Sequence, residues 1–275
     1  MNRPSWIFML LLSCLLFFQT GCGSLASSST YSVQKDLVFK SVDGVDLKGD
    51  LYEPAEKGAK PAVLVVHGGG WDKKTGDMES LCRDLAQAGF VVFNTDYRLA
   101  PGSLYPKAVD DVRDSLTWLK AHAEKFEIDP RRISGWGYSA GAHLILLVGL
   151  DPSQGLKALV AGGTPADLTA WPDSPLVLKF LGVPRDSHLA LWQEASPVNH
   201  VEKNSPPVFL YHGEWDHLVE IEQMNKMKAA LGSKGVPVET FQVPMMGHVA
   251  VYLFSQKSVD KGIEFIKARV KPILP

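Results

Sequence analysis

The chain reads as an α/β protein with a mostly parallel, eight-stranded sheet covered by helices on both faces. Three observations predict this class. Short, continuously apolar runs alternate along the chain with stretches in which apolar residues recur every three or four positions. Glycine or proline closes or opens many of these segments. No internal repeat and no second domain interrupts the alternation, so residues 33–275 read as one domain.

Taken in order, residues 33–40 and 45–52 form a hairpin around Asp43-Gly44, a dipeptide suited to a tight turn. Residues 62–67 are an apolar strand that runs into three glycines. Residues 78–88 form an amphipathic helix stopped by Gly89, and 90–95 a second buried strand. Pro106 opens a helix carrying Val109, Val112, Leu116 and Leu119 at helical spacing. Strands at 132–137 and 156–161 flank a helix over 140–150 that is apolar nearly all round, which predicts a buried helix. Residues 165–205, rich in proline and tryptophan, read as an irregular insertion acting as a short lid. A strand at 208–212, a helix over Ile221, Met224 and Leu231, a strand at 238–243 and a helix carrying Val259, Ile263, Ile266 and Val270 complete the chain.

Composition excludes several classes. With 275 residues, 45% hydrophobic and 21% charged, the chain has ample material for a core. A net charge of −2 leaves no basic excess to hold a phosphate backbone, so nucleic acid is not an expected partner. Three cysteines cannot build a disulfide scaffold. Met78, Leu81, Cys82 and Leu85 share one helical face, so Cys82 reads as a small core hydrophobe.

The N-terminus departs from this average. Arg3 precedes an apolar run over 6–18 broken only by Ser13. At 1.5 Å per residue that run spans roughly 20 Å, short of a bilayer core of about 30 Å but suited to a signal peptide. The run ends in Gly21-Cys22, followed by a Ser/Gly-rich stretch, and so resembles a bacterial lipoprotein signal, although Gln19 stands where such signals prefer leucine. The resemblance implies removal of residues 1–21, lipidation of Cys22 and a flexible tether over 22–32. The alternative is cleavage after Ala26 and free secretion. Either way the expected address is outside the cytoplasm, in the bacterial periplasm or at a membrane surface.

Gly137-Tyr138-Ser139-Ala140-Gly141 matches G-x-S-x-G and lies between an expected strand and an expected helix. A tight turn there holds serine in an exposed, strained position, and the flanking glycines relieve crowding. His67-Gly68-Gly69-Gly70-Trp71 ends an earlier strand; successive glycines leave backbone N–H groups open to a developing oxyanion. Ser139 needs a base and an orienting carboxylate. Among eight histidines, His248 in Met246-Gly247-His248 falls on an expected loop after a strand. Asp216 stands in the loop after 208–212, with Glu214 and Glu220 as competitors, while His212 and His217 lie too close to it in sequence to be preferred partners. His143 falls inside a helix. The order Ser139, Asp216, His248 is that of the α/β-hydrolases.

Together with Asp96-Tyr97-Arg98-Leu99-Ala100-Pro101, these motifs make residues 33–271 resemble α/β-hydrolase esterases. The nearest groups are the hormone-sensitive-lipase/acetyl-esterase family and its feruloyl-esterase-like and kynurenine-formamidase-like relatives. Gly102-Ser103, where the first branch continues with glutamate, favours the shorter relatives. The resemblance implies Ser139 as nucleophile, His248 as general base and Asp216 as its orienting acid. It implies an oxyanion hole drawn from Gly69, Gly70 and Ala140, and a structural role for 96–101. Trp71, Trp171 and Trp215, with Tyr138 beside the serine, offer platforms for a sugar or aromatic acyl group; partly buried packing is the competing reading.

The expected function is an exported serine carboxylesterase acting on short or aromatic acyl esters, such as acetyl or feruloyl groups on glycans. An amidase, a formamidase or a small peptidase could use the same machinery, although kynurenine breakdown is intracellular. A silent, hydrolase-fold binding lipoprotein is the alternative of another class. No metal or cofactor is expected, because no His/Cys/Asp/Glu cluster has ligand spacing.

Overall fold

A computed structural model describes residues 30–271. The expected signal segment 1–21, Cys22 and residues 23–29 of the expected tether lie outside the described residues, while its last two residues, Tyr31 and Ser32, already pair with Pro54 and Glu53. Eight strands form one sheet in the order β1-β2-β4-β3-β5-β6-β7-β8. β1 (Tyr31–Val42) and β2 (Val45–Pro54) are the expected hairpin, with Val42 opposite Val45. Asp43 and Gly44 turn at φ 53° and 74°, both left-handed, as a two-residue hairpin loop requires.

The other six strands run parallel: β3 (Lys60–Val66), β4 (Val91–Thr95), β5 (Ile128–Tyr138), β6 (Leu159–Gly162), β7 (Val208–Gly213) and β8 (Val238–Val243). β5 begins four residues earlier than its apolar run, because Lys60 pairs with Ile128 before a register shift and bonds Glu127 at 2.8 Å.

The helices divide over the two faces. α2 (Lys107–Ala121), α3 (Ala140–Gly149) and α6 (Glu222–Ser233) bury their apolar residues in one core cluster. α1 (Glu79–Gln87) and α8 (Gln256–Arg269) cover the other face. All ten residues of α3 are buried, as its uniform apolarity predicts. Cys82 is buried on α1, where desolvation pushes its thiol well above the ordinary range.

Two expectations need correction. The lid region 165–205 is less irregular than its composition implies: it holds α4 (Pro175–Leu181) and α5 (Leu189–Glu194) besides single 3-10 turns. Ser174 caps α4 and Pro175 occupies its first turn, a start signal hidden by the proline-rich surroundings. His248 stands not in a loop but as the first residue of α7 (His248–Phe254). Seven residues are too few to show a helical period in sequence.

Candidate active site

The C-terminal ends of the parallel strands bring the chemistry-bearing residues together: His67 follows β3, Ser139 follows β5, Asp216 follows β7 and His248 follows β8. Ser139 turns at φ 54° and ψ −123°, a strained conformation for a residue with a side chain. The strain is imposed from both sides. A Cβ on Gly141 would run into the carbonyls of Val66 and His67, and one on Gly137 into the Gly141 carbonyl, so α3 leaves the sheet at closest approach. Ser139 N–H donates to the Gly162 carbonyl at 2.8 Å, which anchors the turn to β6.

Ser139, His248 and Asp216 form one hydrogen-bonded row. His248 Nε2 lies 2.9 Å from Ser139 Oγ, and His248 Nδ1 lies 2.6 Å from Asp216 Oδ2. An Nδ1–H tautomer donates to the carboxylate and leaves Nε2 free to take the serine proton. The Tyr138 hydroxyl donates to the His248 carbonyl at 2.6 Å and steadies the start of α7.

Asp216 Oδ1 accepts the Leu218 and Val219 amides at 3.0 and 2.9 Å. A second histidine also reaches it: His212 Nε2 lies 3.3 Å from Oδ2 and donates to the Val219 carbonyl at 2.7 Å. Burial opposes charge on Asp216, yet the bonds from His212, His248 and the Val219 amide outweigh it and hold the carboxyl well below the usual carboxylate range. Sequence distance argued against His212. Four positions along a strand end and its tight loop nevertheless fold it back onto Asp216. The competing carboxylates have other partners: Glu214 accepts the Met245 amide at 3.0 Å and Glu220 the Trp171 indole at 2.9 Å.

The glycine loop faces the serine. Gly69 and Gly70 take φ 125° and 60°, and a Cβ on Gly69 would enter the Lys73 carbonyl. Ala140 opens α3, where the first amides have no intrahelical acceptor. Residues 96–101 buttress the loop as expected. Tyr97 stacks on His67 at 4.3 Å and donates to its carbonyl at 3.1 Å, and Ala100 N–H donates to the Trp71 carbonyl at 2.9 Å. Arg98 clasps the fully buried Asp111 of α2 through Nε at 2.8 Å and Nη2 at 2.9 Å. Burial pushes the imidazole of His67 down to about 4, against the opposing pull of the Gly68 carbonyl and Asp96.

Two cavities meet at Ser139. The smaller, about 100 Å³, is walled by Trp71, Pro165, Trp171, Val177 and Val219. The larger, about 370 Å³, is walled by Lys73, Thr75, Tyr138, His248, Val249 and Tyr252. Gly70, Ser139, Leu176 and Leu218 line both, so the serine and one loop glycine sit at their junction. This arrangement can deliver a serine oxygen to an acyl carbon, shuttle its proton and offer amides to the resulting oxyanion.

A profile of the BD-FAE family matches residues 49–231. The chain belongs to the BD-FAE family. Among curated relatives, the versiconal hemiacetal acetate esterase of Dothistroma septosporum is 31% identical over 254 residues, covering 79% of this chain and 74% of that protein. Esterase LipC of Mycobacterium tuberculosis is 29% identical over 227 residues, covering 72% of this chain and 56% of that protein. The chain spans about half the length of the Mycobacterium tuberculosis relatives it matches, 53%, 56% and 50% of three of them. Among solved structures, a truncated carbohydrate esterase from gut microbiota superposes with a TM-score of 0.78 at 22% identity, covering 90% of this BD-FAE chain and 99% of that one. The shared architecture is the α/β-hydrolase fold.

Within this BD-FAE site the aromatic expectations divide. Trp215, in the loop after β7, is 55% exposed and lines neither cavity. Trp171 walls the smaller cavity with its indole N–H already bonded to Glu220. Tyr138 contributes to the larger cavity, but its hydroxyl is spent on His248. Trp71 is 3% exposed, stacked on Phe180 at 4.7 Å and bonded to His143, so packing holds its ring while it also contributes to the wall of the smaller cavity. Among the described residues, no group of three or more His, Cys, Asp or Glu is placed to hold a metal ion.

Proposed function

We propose that the protein is a serine carboxylesterase that removes short acyl groups, acetyl above all, from a bulkier alcohol. The observation that carries this reading is the row Ser139–His248–Asp216 set between two cavities of unequal size. Ser139 Oγ attacks the ester carbon while His248 takes its proton and Asp216 stabilises the imidazolium. The amides of Gly69, Gly70 and Ala140 receive the oxyanion. His248 then protonates the leaving alcohol, and a water activated by the same histidine releases the acid.

The two cavities support an assignment of the halves of the substrate. His248 lines only the larger one, and the group that protonates the leaving oxygen must face it, so the alcohol belongs there. The acyl group takes the smaller cavity. At about 100 Å³ it is the tighter of the two and favours a short tail such as acetyl or propionyl. An acetate esterase among the relatives and a carbohydrate esterase among the solved folds support the same direction.

In Ser139→Ala, hydrolysis of p-nitrophenyl acetate is lost while the circular-dichroism spectrum and melting temperature are kept. Turnover at the wild-type rate in that variant refutes the assignment. Across p-nitrophenyl esters, activity is highest for acetyl and falls with chain length; palmitate cleaved faster than acetate contradicts the cavity assignment. Acetylated sugars, feruloylated sugars and N-formylkynurenine, run in parallel, separate ester from amide chemistry.

The N-terminal sequence supports export and lipidation at Cys22. Labelled palmitate is incorporated into the full chain expressed in a bacterial host and not into Cys22→Ala. Equal labelling of both forms overturns the anchor.

A further inference from the structure

His143 lies four residues after Ser139 on α3, fully buried and outside the linings of both cavities. Both its ring nitrogens are engaged. The Trp71 indole N–H donates to Nδ1 at 3.2 Å, and Nε2 lies 2.7 Å from the Ala195 carbonyl. An indole nitrogen only donates and a carbonyl only accepts, so the ring is held neutral with its proton on Nε2. No other tautomer satisfies both neighbours.

The partners of this ring belong to three parts of the site. α3 carries Ser139 at its head. Trp71 follows Gly70 directly and is itself held at φ 63°, a conformation a tryptophan keeps only when its surroundings impose it. Ala195 closes α5 in the lid. Phe180 of α4 packs on Trp71 at 4.7 Å and edge-on to His143 at 5.6 Å, while Leu176 of the same helix walls both cavities. One imidazole thus joins the nucleophile helix, the glycine loop and the lid.

We propose that His143 is a positioning residue, which sets the height of the oxyanion amides over Ser139 by gripping the Trp71 indole. The inference rests on the esterase reading. The oxyanion forms only in the transition state, so a loop displaced by a fraction of an ångström loses turnover rather than substrate affinity. Misplacement on that scale costs on the order of ten- to a hundred-fold in rate.

The experiment measures kcat and KM for p-nitrophenyl acetate, with melting temperature alongside, in wild type, His143→Phe, His143→Asn, Trp71→Phe and the double variant His143→Phe/Trp71→Phe. His143→Phe keeps a ring but no acceptor; kcat falls roughly ten- to a hundred-fold and KM changes less than about threefold. His143→Asn restores an acceptor near Nδ1 and recovers most of kcat, though it loses the Ala195 bond and melts lower. Trp71→Phe keeps an aromatic ring against Phe180, removes the N–H together with part of the bicyclic ring, and reproduces the kcat loss. The double variant is no slower than the worse single, because one link is broken in each.

A folded His143→Phe with wild-type kcat overturns the proposal, as do single losses that multiply in the double variant. If His143→Phe does not fold, Trp71→Phe decides alone: an unchanged kcat overturns it. A wild-type protein that hydrolyses no ester refutes the esterase reading instead, which keeps the two failures apart.

Discussion

Acid should unfold this protein through two buried histidines before its carboxylates matter. His67 and His143 are 1% and 0% exposed, and burial pushes both imidazoles down to about 4 from the ordinary value of 6.5. In each case carbonyl contacts, from Gly68 and Ala195, oppose the fall without reversing it. Between those two values the unfolded chain binds protons that the folded chain refuses, so stability declines as pH falls from about 6.5 towards 4. At pH 4.5, a group held at about 4 rather than 6.5 costs a few kcal/mol, so the pair costs on the order of 5 kcal/mol. That is a large part of the 5–15 kcal/mol by which a typical domain is stable. Asp216 acts in a different window: its carboxyl is lowered in the fold, and the stability it contributes is lost only below the ordinary carboxylate range. The assay is urea unfolding followed by tryptophan fluorescence at constant ionic strength, at intervals from pH 7.5 to 4.5. Wild type loses about 5 kcal/mol across that range, and His143→Phe, with one titrating ring removed, loses about half as much. Equal stability at the two ends, or an unchanged pH dependence in the variant, refutes the reasoning.

Other perturbations separate the parts of the site. Asp216→Asn keeps the fold but favours the wrong His248 tautomer, so kcat for p-nitrophenyl acetate drops on the order of 10⁴-fold; a loss below tenfold counts against the row. Leu176→Ala opens the wall shared by both cavities, and the ratio of butyryl to acetyl turnover rises; a constant ratio removes Leu176 from acyl selection. Asp111→Ala leaves Arg98 and Lys40 without the buried carboxylate they share and lowers stability by about 3–5 kcal/mol in urea titration, whereas a change under about 1 kcal/mol shows that the cluster contributes little.

The sequence carried what local pattern can carry. Apolar runs located the buried central strands and helical periods the longer helices that cover them, because a buried strand must be apolar on both faces and a covering helix on one, while the Asp43-Gly44 turn marked the more exposed β1–β2 hairpin. The uniform apolarity of α3 announced its burial. G-x-S-x-G, three glycines after a strand, and an aspartate and a histidine after later strands marked the residues that the structure brings together, because the α/β fold gathers the ends of parallel strands at one rim. The short helices α4, α5 and α7 escaped, since none is long enough to display a period.

What the tertiary structure alone decided are the contacts between distant segments. Trp71 and His143 are 72 positions apart, and His143 and Ala195 are 52, yet they form one hydrogen-bonded chain. Nothing in the local pattern of either segment distinguishes that chain from ordinary core packing. The same holds for the two cavities, whose unequal volumes depend on where the lid settles against the glycine loop. Sequence periodicity determines which face of each element seeks the core, because burial acts on every element separately. Which side chains meet there, and how much space they leave beside Ser139, depends on how the elements pack against one another.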